Sequence, residues 1–147
     1  MKKPQKRKDG NRTGFASELY VLYLLQRSGA NAYMTFGNTK KVDIVVQKGN
    51  EAITIDVKGG SNSFPINKHY KDYLNDTNHF FVFVEYNGNF ENINTNPSVF
   101  IVSATEMKTV HTYKCKNGEE RFNVFKRDLE GKFYADFSIF VEGKETK

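Results

Sequence analysis

Two β-rich runs, Val42 to Gln47 and Ala52 to Lys58, flank the tetrapeptide Lys48-Gly-Asn-Glu51. No other signal in the sequence constrains the fold as tightly, because it predicts a β-hairpin together with its register. Gly49 suits the first central position of a type II′ turn, which sets Lys48 against Glu51, Val46 against Ile53, Ile44 against Ile55 and Val42 against Val57. One face of the ribbon is then continuously apolar and ends in a charge pair. A slip of one residue would turn that face to solvent, so the register is strongly specified and the ribbon must lie against a core.

The same register places Asp43 opposite Asp56 on the other face, with Lys58 two residues further along on the same side. Like charges about 5 Å apart at Cβ repel, so something must compensate them. A raised pKa on one carboxylate, the Lys58 cation or a bound divalent metal would serve. An exposed sheet face on which Lys58 merely offsets the acids satisfies the pattern as well, since Asp-x-Lys tripeptides arise often by chance.

Glu18 adds a third acid. Gly14 to Ser28 reads as a helix, free of Pro and closed by Gly29, with apolar residues over most of its circumference. That pattern predicts a buried helix. The helical neighbours of Glu18 are Phe15, Val21, Leu22 and Leu25, and a buried Glu is rare without a partner. Either its carboxylate snorkels from the edge of the apolar face, or helix and hairpin converge on one acidic site.

Further along, Gly59, Gly60 and Pro65 mark a loop, Asn67 to Leu74 a short helix, and Phe80 to Tyr86 and Val99 to Val102 two more strands. Ser103 and Glu106 have capping-box spacing and start a short helix towards Val110. Phe122 to Phe125 and Phe133 to Val141 read as strands or aromatic-rich loops; the latter has no chemical role in this reading and is assigned to core or to an oligomer surface. This order predicts a mixed α/β domain with a small central sheet.

Charge is distributed unevenly. Lys2, Lys3, Lys6, Arg7, Lys8 and Arg12 against Asp9 account for the whole net charge of +5, so residues 1–13 read as a basic flexible tail and residues 14–147 as a single domain. The tail either contacts a polyanion or is a solvated extension. No apolar run reaches the roughly 20 residues of a membrane span, and no short apolar segment follows the basic start as a secretory signal requires. Cys115 is the lone cysteine of the chain, which predicts a reducing cytoplasm. His69, His79 and His111 lack a metal-ligand spacing and read as surface or packing residues, and without a CxxC pair a zinc site is not expected. Asn67 to Lys71 interleaves base with aromatic, either to contact a nucleic-acid backbone or as a solvated helix packing Tyr70 and Tyr73 inward.

Taken together, Glu18 in GFASELYVLYLLQRSGANAY, Asp43 in KKVDIVV and Asp56-Val57-Lys58 in ITIDVKGG resemble the core of the PD-(D/E)XK nuclease superfamily. The resemblance covers about residues 12 to 105, including FFVFVEY and VFIVSATEM. Val42 stands where the motif's name has Pro, and Asp56 where Glu is commoner. The resemblance implies a restriction-endonuclease-like α/β core, with a central mixed sheet of four to five strands flanked by helices, similar to small Holliday-junction-resolvase-type and restriction-type members. It further implies an endonuclease that hydrolyses DNA phosphodiesters with Mg²⁺, for which Mn²⁺ would substitute. Asp43, Asp56 and the Val57 carbonyl would ligate the metal, Glu18 would join directly or through water, and Lys58 would orient the attacking water or offset developing charge. Cutting both strands with one small site would favour a homodimer. The rival readings are a non-catalytic nucleic-acid-binding module on a nuclease-like fold and an interaction domain with no nucleic-acid role.

Overall fold

The computed structural model describes residues 7–36, 42–115 and 121–143, with side chains from residue 11 onward. Helix α1, Arg7–Ser28, begins seven residues earlier than the sequence suggests, and residues 1–6 of the expected tail lie outside the described residues. Its end is as expected. Gly29 (φ 92°) closes it in a Schellman arrangement, with Ala30 N–H donating to the Leu25 carbonyl at 3.0 Å and Gly29 N–H to the Gln26 carbonyl at 3.1 Å. One face of α1 is buried completely, at Ser17, Val21 and Leu25. The expectation of burial all round fails: Phe15, Leu19 and Tyr23, each about half exposed, form a second apolar stripe that nothing among the described residues covers.

Strands β1 (Asn31–Met34), β2 (Ile44–Lys48) and β3 (Glu51–Gly60) follow, then β4 (Ser63–Asn67), a 3-10 turn over Lys68–Tyr73, β5 (His79–Glu85), β6 (Ser98–Ser103), α2 (Ala104–Met107), β7 (Tyr113–Lys114), β8 (Arg121–Phe125) and 3-10 turns at Lys126–Asp128 and Phe137–Phe140. They form a five-stranded mixed sheet in the order β1-β2-β3-β5-β6 and a three-stranded sheet in the order β4-β8-β7. The hairpin register is the expected one, from Lys48 against Glu51 to Ile44 against Ile55. Gly49 has φ 59°, as the first position of a type II′ turn requires. The capping box at Ser103 and Glu106 is likewise present.

Strand alternation divides the core between the two faces of the larger sheet. Ile53, Ile55, Val57, Val82, Val84 and Ile101 meet α1 and the C-terminal Phe137, Phe140 and Val141. Phe81, Phe83, Phe100 and Val102 meet Phe64 and Ile66 of β4, Val124 of β8, Met107 of α2 and Phe133. The aromatic C-terminus is therefore core, folded as a 3-10 turn rather than a strand. Because β5 is covered on both sides, it reads as an unbroken apolar run.

Gly59 and Gly60 belong to β3 and not to a loop. The reason is tertiary: β5 pairs with β3 in parallel as far as Gly59 against Val84 and Gly60 against Glu85, which holds the glycines extended. Pro65 sits in β4, an edge strand of the smaller sheet, where a missing N–H is tolerated. The fully buried Glu85 accepts N–H bonds from Asn62 at 2.7 Å and Asn87 at 2.6 Å, pinning two turns whose Asn residues have positive φ.

Gly59 also sets the approach of α1 to β3. A Cβ there would overlap Ser17 Oγ and lie 3.0 Å from Ser17 Cβ and 3.2 Å from the Thr13 carbonyl. Gly59→Ala is expected to destabilise the fold by about 1–3 kcal/mol, as overpacking typically does, when measured by urea unfolding. Ser17→Ala in the same background should recover part of that loss, and an unchanged Gly59→Ala variant would show that α1 does not rest on β3 at this point.

Candidate active site

β2 and β3 part company at Asp43. The ladder ends at Ile44 and Ile55, while β3 continues to Gly60, so the β2-facing edge of β3 is left open beyond that pair. Asp43 N–H still donates to the Ile55 carbonyl at 3.0 Å, but the Asp43 carbonyl turns to β1, where it accepts from Thr35 N–H at 3.0 Å. Beyond the end of the ladder the Asp43 carboxylate serves as the acceptor, and its Oδ2 accepts the Val57 N–H at 2.8 Å. The N–H and C=O of one strand residue point to the same edge, so the Val57 carbonyl also faces the fork.

This geometry alters the expected facing of Asp43 and Asp56. The two carboxylates have different surroundings: Asp43 is held by a backbone donor, and Asp56 lies on the face of β3 that meets the aromatic core. Asp56 Oδ2 is 3.3 Å from Nε2 of His79, without hydrogen-bond alignment.

Two grooves open at the end of β3. One, of about 490 Å³, is lined by Thr13, Glu18, Asp43, Val57, Lys58 and Gly59, among others. The second, of about 690 Å³, is lined by Asp56, Lys58, Asn67, Tyr70 and Tyr73, among others. Lys58 lines both. The expected set is thus gathered at one strand end, with Glu18 and Asp43 on one side of Lys58 and Asp56 on the other. Glu18 reaches the fork because the Ser17 and Gly59 contact brings the middle of α1 down on β3. Ser17 Oγ further donates to the Thr13 carbonyl at 2.6 Å and lies 2.9 Å from the Tyr86 hydroxyl, while burial raises the Tyr86 pKa and the Ser17 contact opposes it.

Glu18, Asp43 and the Val57 carbonyl are hard oxygen donors sharing one groove, the chemistry that suits a cation such as Mg²⁺. Among the described residues, no three His, Cys, Asp or Glu side chains stand together as a metal cluster. In the larger groove, burial pushes the Tyr73 hydroxyl above the ordinary phenol range, and Asp56, Asp72 and Asp76 push it the same way. Tyr70 and Tyr73 pack inward against the aromatic core, while Lys68, Lys71 and Lys114 line a neighbouring groove of about 540 Å³. The inward packing of Tyr70 and Tyr73 agrees with the second of the two readings of Asn67 to Lys71. Sequence reasoning missed His79, whose place beside Asp56 depends on the parallel pairing of β3 with β5, and Ser17, whose contact is with a glycine.

No family model matches the chain, and no curated protein matches it in sequence. Among solved structures it is similar to Hjc of Archaeoglobus fulgidus, a Holliday junction resolvase from an archaeal hyperthermophile. That similarity has a TM-score of 0.52 and 14% identity over 79% of this chain and 86% of the other. A bacterial homing endonuclease, I-Ssp6803I, matches at a TM-score of 0.46 and 8% identity over 87% of this chain and 83% of its own. The fold is therefore the restriction-endonuclease-like fold that the PD-(D/E)XK resemblance implied, with a five-stranded mixed sheet at its centre.

Proposed function

We propose that this chain is a divalent-metal-dependent endonuclease that hydrolyses DNA phosphodiesters in the cytoplasm, as a homodimer where both strands are cut. The observation that carries this reading is the grouping of Glu18, Asp43, Val57, Asp56 and Lys58 around the open end of β3, on the fold shared with a junction resolvase. Asp43, Asp56 and the Val57 carbonyl would hold Mg²⁺ or Mn²⁺, with Glu18 joining directly or through water. When bound, such an ion polarises a phosphoryl oxygen and lowers the pKa of its water.

The chain's own residues supply the rest. Asp43 is fixed by the Val57 N–H, and so it enters the reaction with little freedom left to lose. Lys58, placed between the grooves, orients the attacking water and offsets negative charge accumulating on the phosphate as the P–O bond breaks to a phosphomonoester and a hydroxyl. Lys68, Lys71 and Lys114 offer cations to a backbone running past the site. No helix among the described residues is long and apolar enough to cross a membrane.

The bond between Asp43 and the Val57 N–H also favours the second reading, a nucleic-acid-binding module whose acids are structural. Cleavage of supercoiled, linear and branched DNA with Mg²⁺ or Mn²⁺, stopped by chelator, separates the two. Asp43→Asn and Asp56→Asn are expected to lower the cleavage rate by at least about 100-fold, on the scale of losing one strongly stabilising group, while remaining folded. Asn at 43 keeps an acceptor for the Val57 N–H, whereas Asp43→Ala should lose about 1–3 kcal/mol in urea unfolding because that donor is left unpaired. Full cleavage by either Asn variant refutes the metal assignment.

Lys58→Ala should reduce kcat far more than it weakens DNA binding, since its charge acts on the transition state. Parallel modest losses in single-turnover rate and in binding measured by fluorescence anisotropy would make Lys58 a phosphate contact only.

A further inference from the structure

We infer that His79 is a positioning residue that orients the Asp56 carboxylate, an inference that rests on the endonuclease reading above. The parallel register puts His79, the first residue of β5, beside Thr54 on β3, two residues before Asp56 on the same face. Its ring is fully buried, stacked on Tyr73 at 4.2 Å between centroids and met edge-on by Phe81 at 4.8 Å. Nδ1 lies 2.6 Å from Thr54 Oγ1. Nε2 is buried without a hydrogen-bond partner and faces Asp56 Oδ2 at 3.3 Å.

The tautomer that fits both contacts carries its proton on Nε2, towards the carboxylate acceptor, and leaves Nδ1 to accept the Thr54 hydroxyl proton. The ring is held on its faces by aromatics and at Nδ1 by Thr54, whereas the Asp56 side chain retains some solvent exposure. The carboxylate is therefore the partner that turns to complete the bond. With Oδ2 turned to His79 in this way, the other oxygen would be left for the groove that Asp56 shares with Lys58. A chain from Thr54 through His79 to Asp56 reaches from the aromatic core to the site, and orienting partners of this kind generally affect affinity and rate through the ligand they hold.

Two substitutions distinguish this role from packing. In His79→Gln the amide nitrogen takes roughly the place of Nε2, and in His79→Asn that of Nδ1. His79→Gln is expected to keep kcat within about threefold of wild type, while His79→Asn lowers it about 10–100-fold with KM for DNA unchanged. A second readout needs no turnover: thermal unfolding titrated with Mg²⁺ in the absence of DNA should show a weaker half-saturation for Asn and a normal one for Gln. If either variant fails to fold, Thr54→Val provides the test, because it keeps the packing and removes the hydroxyl that fixes Nδ1; a fall in kcat supports the chain and an unchanged kcat overturns it. Equal behaviour of Gln and Asn in a cleaving background overturns the role of His79 alone. A wild type that neither cleaves DNA nor gains stability from Mg²⁺ overturns the endonuclease reading, and this inference with it.

Discussion

The contact of Ser17 on α1 with Gly59 on β3 sets the geometry on which the candidate site depends. A side chain at 59 has no room, so the helix backbone sits directly on the strand just past the point where β2 has left it. Glu18, the next residue along α1, therefore lines the same groove as Asp43 and Val57. Ser17 is fully buried yet polar, and its hydroxyl is satisfied by the Thr13 carbonyl and the Tyr86 hydroxyl. A buried polar group so satisfied holds one geometry where an apolar contact would tolerate sliding.

Acidic groups at the end of a sheet carry an electrostatic cost that the fold meets in two different ways. Asp43 receives a backbone N–H that the departing strand would otherwise leave unpaired, so one bond relieves both an orphaned donor and a charge. Asp56 lies beside a buried imidazole on the opposite side of Lys58. The strand between them, covered on one face by α1 and on the other by the aromatic core, is rigid enough to keep the two arrangements in register.

The smaller sheet gives that strand its second cover. Phe64 and Ile66 of β4 pack beneath β5, and the Lys68–Tyr73 turn that follows β4 brings Tyr70 and Tyr73 to the wall of the larger groove. Phe137 and Phe140 fill the other side, and Lys48 at the hairpin tip donates to the Ile139 carbonyl at 2.7 Å. A chain without Trp thus builds the core on one face of the larger sheet largely from Phe and the core against α1 largely from Val and Ile.

Local chemistry was legible in the sequence wherever a short segment decided its own structure. The hairpin register from Lys48 and Glu51 to Ile44 and Ile55, the Gly29 helix end and the Ser103 capping box each depend on residues within a few positions of one another, and each is present as read, whereas the expected pairing of Val42 with Val57 is not part of the ladder. Glu18, Asp43, Asp56 and Lys58 were recognisable because residue type and spacing survive without knowledge of packing. What the sequence could not show was decided by contacts between distant segments. Gly59 and Gly60 look like a loop until β5 pairs beside them, and α1 looks buried all round until the sheet is seen to cover one side of it. Asp43 looks opposed to Asp56 until the strands part and its carboxylate finds the Val57 N–H. His79 looks like any packing residue because its neighbours, Thr54 and Asp56, lie more than twenty positions away. They meet only through a parallel pairing, which no local pattern encodes.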